Sequence, residues 1–114
     1  MSEKRNTILQ SCIGSAKELS GLVDYAADSV VSKTILDKQA GTITLFAFDA
    51  SQGLSEHTSP YDAVVQVVEG EGIFVIGQKP VEVSSGRLLI MPANVPHAVR
   101  AEQKFKMMLI MIRV

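Results

Sequence analysis

Gly53-Leu54-Ser55-Glu56-His57-Thr58-Ser59-Pro60-Tyr61-Asp62-Ala63, running on through Val64-Val65-Gln66-Val67-Val68 to Glu69-Gly70-Glu71-Gly72, is the stretch that decides the fold. Two runs of strand-favouring residues, Leu54 to Thr58 and Ala63 to Glu69, flank a proline-containing break, and the second ends in glycines spaced for a tight turn. Neither run is long enough for a helix. The same rhythm carries on to His97: Ile73 to Ile76, Val81 to Val83 and Leu88 to Met91 alternate with the turn signals Gly77-Gln78-Lys79, Ser84-Ser85-Gly86 and Pro92 to Pro96. Both histidines of the chain, His57 and His97, fall inside this region.

Outward from it, His97 to Ala101 and Phe105 to Arg113 extend the pattern towards the C-terminus. Val30 to Leu36 and Thr42 to Phe48 extend it towards the N-terminus, separated by the polar break Asp37 to Gly41. These segments predict nine strands, and many short, regularly spaced strands in one domain indicate a sandwich or a barrel. Leu88 to Met91 is apolar at every position and Phe105 to Ile112 has apolar residues on both faces. Such strands need cover on both sides, so a homodimer is expected to supply the second cover. The opening segment, residues 1 to 29, is poorly patterned. Its Ser15-Ala16-Lys17-Glu18 fits a capping box and predicts a short N-terminal helix that Ser20-Gly21 curtails. This segment is expected to pack outside a single β-barrel domain of residues 30 to 114, or to exchange with a partner.

Composition narrows the function. A chain of 114 residues suits one core, and 46% apolar content supports a packed domain rather than disorder. Eleven basic against twelve acidic residues leave no positive excess to neutralise a phosphate backbone, so nucleic-acid binding is set aside. No run approaches the roughly 20 apolar residues of a membrane span, and Met1 to Thr7 lacks the apolar core of a signal peptide. A cytoplasmic protein is expected. Cys12 is the sole cysteine, which rules out an intrachain disulfide and a Cys-based zinc site.

Gly53 to Ala63 followed by Val67-Val68-Glu69-Gly70-Glu71-Gly72 resembles the first motif of the cupin superfamily, small barrels of the double-stranded β-helix or jelly-roll type. Gly86, Pro92, Asn94 and His97 resemble its second motif, and the likeness covers roughly residues 42 to 112. The resemblance implies an all-β jelly-roll fold and says little about activity, because the superfamily hosts enzymes, storage proteins and ligand sensors. It also implies a metal-ligand set, usually two histidines and a glutamate from the first motif and one histidine from the second. Here His57 and His97 fall on two of those positions, whereas Ser59 and Ala63 stand where the second histidine and the glutamate would be. Asn94 replaces the family's turn glycine, and asparagine is the side chain that best tolerates positive φ.

The expected site is therefore a small-molecule pocket centred on His57 and His97, lined also by Ser55, Ser59, Ala63, Val65 and Val99. Strand alternation puts Ser55 and Ser59 on the face of His57, and Val99 and Ala101 on that of His97, with His57 entering from the facing side of the barrel. In the strand after Pro60, the family register turns Ala63, Val65 and Val67 inward. A slip by one would turn Asp62, Val64 and Gln66 inward instead, and the uninterrupted spacing to Gly70 favours the first. Neutral imidazoles at His57 and His97, with waters or Asp62, could hold a divalent metal (Zn, Fe, Ni, Mn or Cu), while no organic cofactor is indicated. Enzyme and binding module both remain open. A Ser55 nucleophile is set aside because it lies on a strand rather than a strand-to-helix elbow. The group Met91, Met107, Met108 and Met111 could line a soft-metal or apolar ligand site but is read as core filling, Glu69 and Glu71 as solvated turn residues, and Arg87 and Arg100 as exposed.

Overall fold

The structure, a computed structural model that describes residues 6 to 113, contains ten strands: β1 Asn6–Ile8, β2 Val30–Lys38, β3 Gly41–Phe48, β4 Gly53–His57, β5 Asp62–Glu69, β6 Glu71–Ile76, β7 Lys79–Ser84, β8 Leu88–Met91, β9 His97–Arg100 and β10 Phe105–Ile112. They form two antiparallel sheets, one ordered β1-β2-β3-β10-β5-β8 and the other β4-β9-β6-β7. The nine strands expected from the sequence are all present, with ends shifted by a residue or two. The glycines sit where the chain must turn left-handed: Gly70 (φ +76°) lets β5 run straight into β6, and Gly77 (φ +64°) closes the β6–β7 hairpin. Asn94 takes φ +66° in the β8–β9 turn, the conformation anticipated for it.

The core fills the space between the sheets. Alternation buries Ala63, Val65 and Val67 from β5, so the preferred register is the one the protein adopts, and Val99, Ala101, Phe105 and Met107 meet them from β9, its following loop and β10. Phe105 stacks on Phe48 with ring centroids 4.6 Å apart and meets Phe74 edge-on at 6.0 Å. Gly72 is bare because that ring lies against it: a Cβ there would stand 2.5 Å from Phe105 Cζ.

The N-terminal segment departs from expectation in two ways. Asn6–Ile8, which the sequence left unpatterned, adds a strand to the edge of the six-stranded sheet by pairing with β2. The short helix does not form; among the described residues there are only 3-10 turns at Gln10–Cys12 and Leu19–Leu22, and no side chain caps either. Too few residues separate Ser15 from Ser20-Gly21 for a helix to recover its nucleation cost. The apolar residues that follow are held instead by the outer face of the large sheet, where Val23 packs with Leu45 and Ala47, flanked by Leu19, Leu22, Tyr25, Val31, Ile35, Val68 and Met108. Lys106, only 7% exposed, ties this strap down by donating from Nζ to the Ser20 carbonyl at 2.6 Å.

The strap covers only part of that face. Cross-strand partners line up as Ile8, Leu36, Ile43, Ile110, Val64 and Ile90, a single aliphatic row across all six strands. At its far edge Leu88 and Ile90 are 63% and 57% exposed, and Ile112 beside it is 57% exposed. The second cover expected for β8 and β10 is thus not provided by the described residues of this chain. No helix among them is long and apolar enough to cross a membrane.

Candidate functional site

His57 ends β4 and His97 opens β9, and the two are direct cross-strand partners in the four-stranded sheet. They converge as neighbours rather than from facing walls, which corrects the geometry expected from the sequence. The reason is a register irregularity between Leu54 and His57: Leu54 pairs with Val99 and His57 with His97, so three residues of β4 span two of β9. A bulge of this kind re-aims side chains beside a strand end. It brings Leu54 to the cavity as well as His57, which strict alternation excludes.

The imidazoles are fixed from behind. His57 Nδ1 lies 2.7 Å from the Ser55 carbonyl and His97 Nδ1 lies 3.1 Å from the Val95 carbonyl. A carbonyl oxygen only accepts, so each Nδ1 carries a hydrogen, and in the neutral ring Nε2 is left with its lone pair. Those two Nε2 atoms stand 3.1 Å apart, with ring centroids at 4.3 Å and planes inclined by 69°. Two lone pairs facing each other at that distance repel unless an electron-poor centre (a shared proton, a ligand's donor hydrogen or a cation) lies between them. His97 is 5% exposed, whereas His57 is on the solvent side.

The turn of residues 92 to 96 sets this arrangement. Asn94 N–H donates to the Ser59 carbonyl at 2.7 Å, Ala93 N–H to Asp62 Oδ1 at 2.8 Å, and Gly77 N–H to the Pro96 carbonyl at 2.8 Å. Ser59 Oγ in turn accepts from Tyr61 N–H at 3.1 Å. The loop after His57 and the turn before His97 are thereby stitched together. Asp62 serves as one of those stitches through Oδ1 and is not among the residues that line the cavity.

Behind the pair, between the sheets, lies a cavity of about 560 Å³. Of the residues expected to form it, Ser55, His57, Ser59, Ala63, His97 and Val99 do; Val65 is fully buried in the core and does not. Ala63 sits opposite Met91 on β8 and leaves room that a larger side chain would occupy. Much of the wall lies beyond the residues the sequence singled out for the pocket: Phe46, Leu54, Leu109 and Tyr61 reach it, and so do Met91, Met107 and Met111, of which Met91 and Met107 are also buried in the core. Period-2 patterning marks Phe46, Met107, Leu109 and Met111 as inward-facing, but nothing local distinguishes an inward residue that touches core from one that touches a void. Met108 faces the other way, under the strap.

A family model described as cupin domain matches residues 44 to 113. The chain belongs to the cupin family. Among solved structures, this cupin is similar over its whole length to a conserved protein of unknown function from Streptococcus pyogenes (31% identity, 100% of this chain and 96% of that one, TM-score 0.85). It is also similar to a cupin 2 conserved barrel domain protein from Leptotrichia buccalis (38% identity, 83% of this chain and 46% of that one, TM-score 0.81). Salicylate 1,2-dioxygenase from Pseudoaminobacter salicylatoxidans shares the fold at 17% identity (82% of this chain, 29% of that one, TM-score 0.69). A comparison with curated proteins found no match.

The metal centre implied by the resemblance has half its donors. Two imidazole Nε2 atoms converge, but Asp62 is committed to Ala93, Ser59 Oγ to Tyr61, and Ala63 has no donor atom. Among the described residues no three or more His, Cys, Asp or Glu side chains cluster to hold a metal ion. What the residues fit is a two-imidazole site open on its remaining sides.

Proposed function

We propose that this cupin binds a small molecule in the cavity between its sheets, gripping a donor hydrogen of the ligand with the opposed Nε2 atoms of His57 and His97. One observation carries the reading: both Nδ1 atoms are tied to carbonyls, and both Nε2 lone pairs meet at 3.1 Å at the mouth of a cavity of about 560 Å³. That volume lies within the usual range for ligand pockets. The imidazoles act there as hydrogen-bonding groups and, where a ligand is turned over, as the acid and base of a proton transfer.

The same geometry favours a second reading, a metal-dependent cupin of dioxygenase or isomerase type. Two nitrogens 3.1 Å apart match neighbouring positions around an ion with Zn–N bonds of about 2.0–2.1 Å. His57 and His97 would hold the metal, which would supply Lewis-acid polarisation of a bound oxygen atom. With two protein ligands it would exchange readily and be stripped by a chelator.

Elemental analysis and ligand-induced thermal stabilisation, each before and after chelation, separate the readings. Stabilisation that survives chelation supports the metal-free pocket; stabilisation restored only by Zn, Fe, Ni, Mn or Cu supports the metal reading. His57→Ala and His97→Ala abolish the response in either case. If both variants fold and bind as the parent does, both readings are wrong.

A further inference from the structure

The cavity wall carries a chemical preference that the histidine pair alone does not reveal. Among the described residues none of its lining side chains is Lys, Arg, Asp or Glu. Its polar groups are the two imidazoles and the hydroxyls of residues 55 to 61; the rest of the wall is largely hydrocarbon and thioether, from Met91, Met107, Met111, Phe46 and Leu109.

The neighbouring charges are committed elsewhere. Arg113 has its guanidinium 5.9 Å from the Tyr61 ring centroid, but its Nη1 donates to the Lys38 carbonyl at 2.6 Å and lies 3.8 Å from Asp37 Oδ1. Arg87 and Arg100 are exposed and Asp62 is bound to Ala93. An ionised group pushed into this wall would lose its water and find no opposite charge, which proteins rarely tolerate. A flat apolar body would lose nothing, and methionine sulfur packs favourably on aromatic rings. With both imidazoles neutral the Nε2 lone pairs accept, so the ligand that fits them is one that donates.

We propose that the site selects an uncharged, compact aromatic molecule bearing one hydrogen-bond donor, of the phenol type, and rejects the matching carboxylate. This deepens the pocket reading and rests on it. The donor hydrogen lies between His57 Nε2 and His97 Nε2, the ring lies among the methionines, and Ala63 provides the width.

The test uses 4-ethylphenol and 4-ethylbenzoate, of similar shape but neutral and anionic at pH 7, titrated by calorimetry into the full-length protein and its His57→Ala, Ala63→Leu and Arg113→Gln variants. The expected result is phenol binding at least tenfold tighter than benzoate. It should weaken at least tenfold in His57→Ala and in Ala63→Leu, and remain unchanged in Arg113→Gln. Benzoate binding as tightly as phenol overturns the selectivity; if His57→Ala abolishes that binding, the pocket reading survives it. Phenol binding indifferent to both His57→Ala and Ala63→Leu, or no phenol binding at all, overturns the inference. Indifference to His57→Ala also removes the histidine pair as the ligand's anchor. The exposure of His57 makes its variant a fair control for folding.

Discussion

Gly72→Ala tests how the two sheets are closed on one another. The backbone of Gly72 is not left-handed, so alanine brings no φ strain, and a Gly→Ala change at a compatible site stabilises by about 0.4–1 kcal/mol through the unfolded chain. Against that, the new Cβ would lie 2.5, 2.6 and 3.0 Å from Cζ, Cε2 and Cε1 of Phe105. Ordinary carbon contacts lie at about 3.5–4.0 Å, so the ring has to move by about 1 Å. It cannot do so freely: Phe105 is fully buried, stacked within 4° of parallel on Phe48 at 4.6 Å and braced by Phe74. Overpacking of this kind costs about 1–3 kcal/mol, which outweighs the entropic gain and leaves a net loss of about 1–2 kcal/mol. Urea denaturation should show a lower midpoint with an unchanged m-value. In a double-mutant cycle, Phe105→Leu should relieve the clash and give a coupling of about 1 kcal/mol or more. A Gly72→Ala change below about 0.5 kcal/mol, or strict additivity with Phe105→Leu, would refute the steric account.

Stability should separate the two histidines even though the proposed binding would depend on both. His57→Ala, on the exposed side, should fall within about 0.5 kcal/mol of the parent, whereas His97→Ala removes a buried ring and strands the Val95 carbonyl, losing about 1–3 kcal/mol by chemical denaturation. Burial, then the hydrogen bond to Glu69 at 2.5 Å and the charge of that carboxylate, hold the Tyr25 hydroxyl well above its usual range. The folded protein therefore keeps this proton after the unfolded chain has lost it, so the contribution is complete below about pH 10 and declines as pH rises beyond it. Tyr25→Phe should flatten the alkaline fall in stability relative to the parent, with Lys104 and Lys106 beside the ring unchanged; an identical slope would count against the assignment. We propose that a second copy of the chain covers the aliphatic row from Ile8 to Ile90, because stacked sheets bury such rows face to face. Sedimentation should then show a dimer at micromolar concentration that Ile110→Lys converts to monomer, and a monomeric parent would dismiss the idea.

The fold was legible because its determinants are local. Alternating β-branched residues, Gly70 and Gly77 at left-handed turns, and Asn94 in place of a turn glycine each state their conformation in the sequence itself. The helix was misjudged for the opposite reason. Ser15 to Glu18 satisfies a local capping rule, but the fate of Leu19 to Tyr25 was decided by a sheet face formed from strands far along the chain. The added strand Asn6–Ile8 is of the same kind, since only pairing with β2 defines it. For the site, motif spacing identified His57 and His97 but could not show the bulge after Leu54 that makes them neighbours.

Asp62 shows most clearly how the site differs from its family's pattern. From sequence it was the one carboxylate near enough to complete a coordination sphere; in the structure it holds Ala93 and so fixes the turn that delivers Val95 and His97. The missing donors at Ser59 and Ala63 are therefore not compensated by a neighbour. The serine oxygen closes its own loop and the alanine widens the cavity beside Met91. Each departure removes a ligand and at the same time adds either order to the mouth or space to the interior. A site altered in that consistent direction suits the proposed organic ligand held by two imidazoles better than a four-donor metal centre.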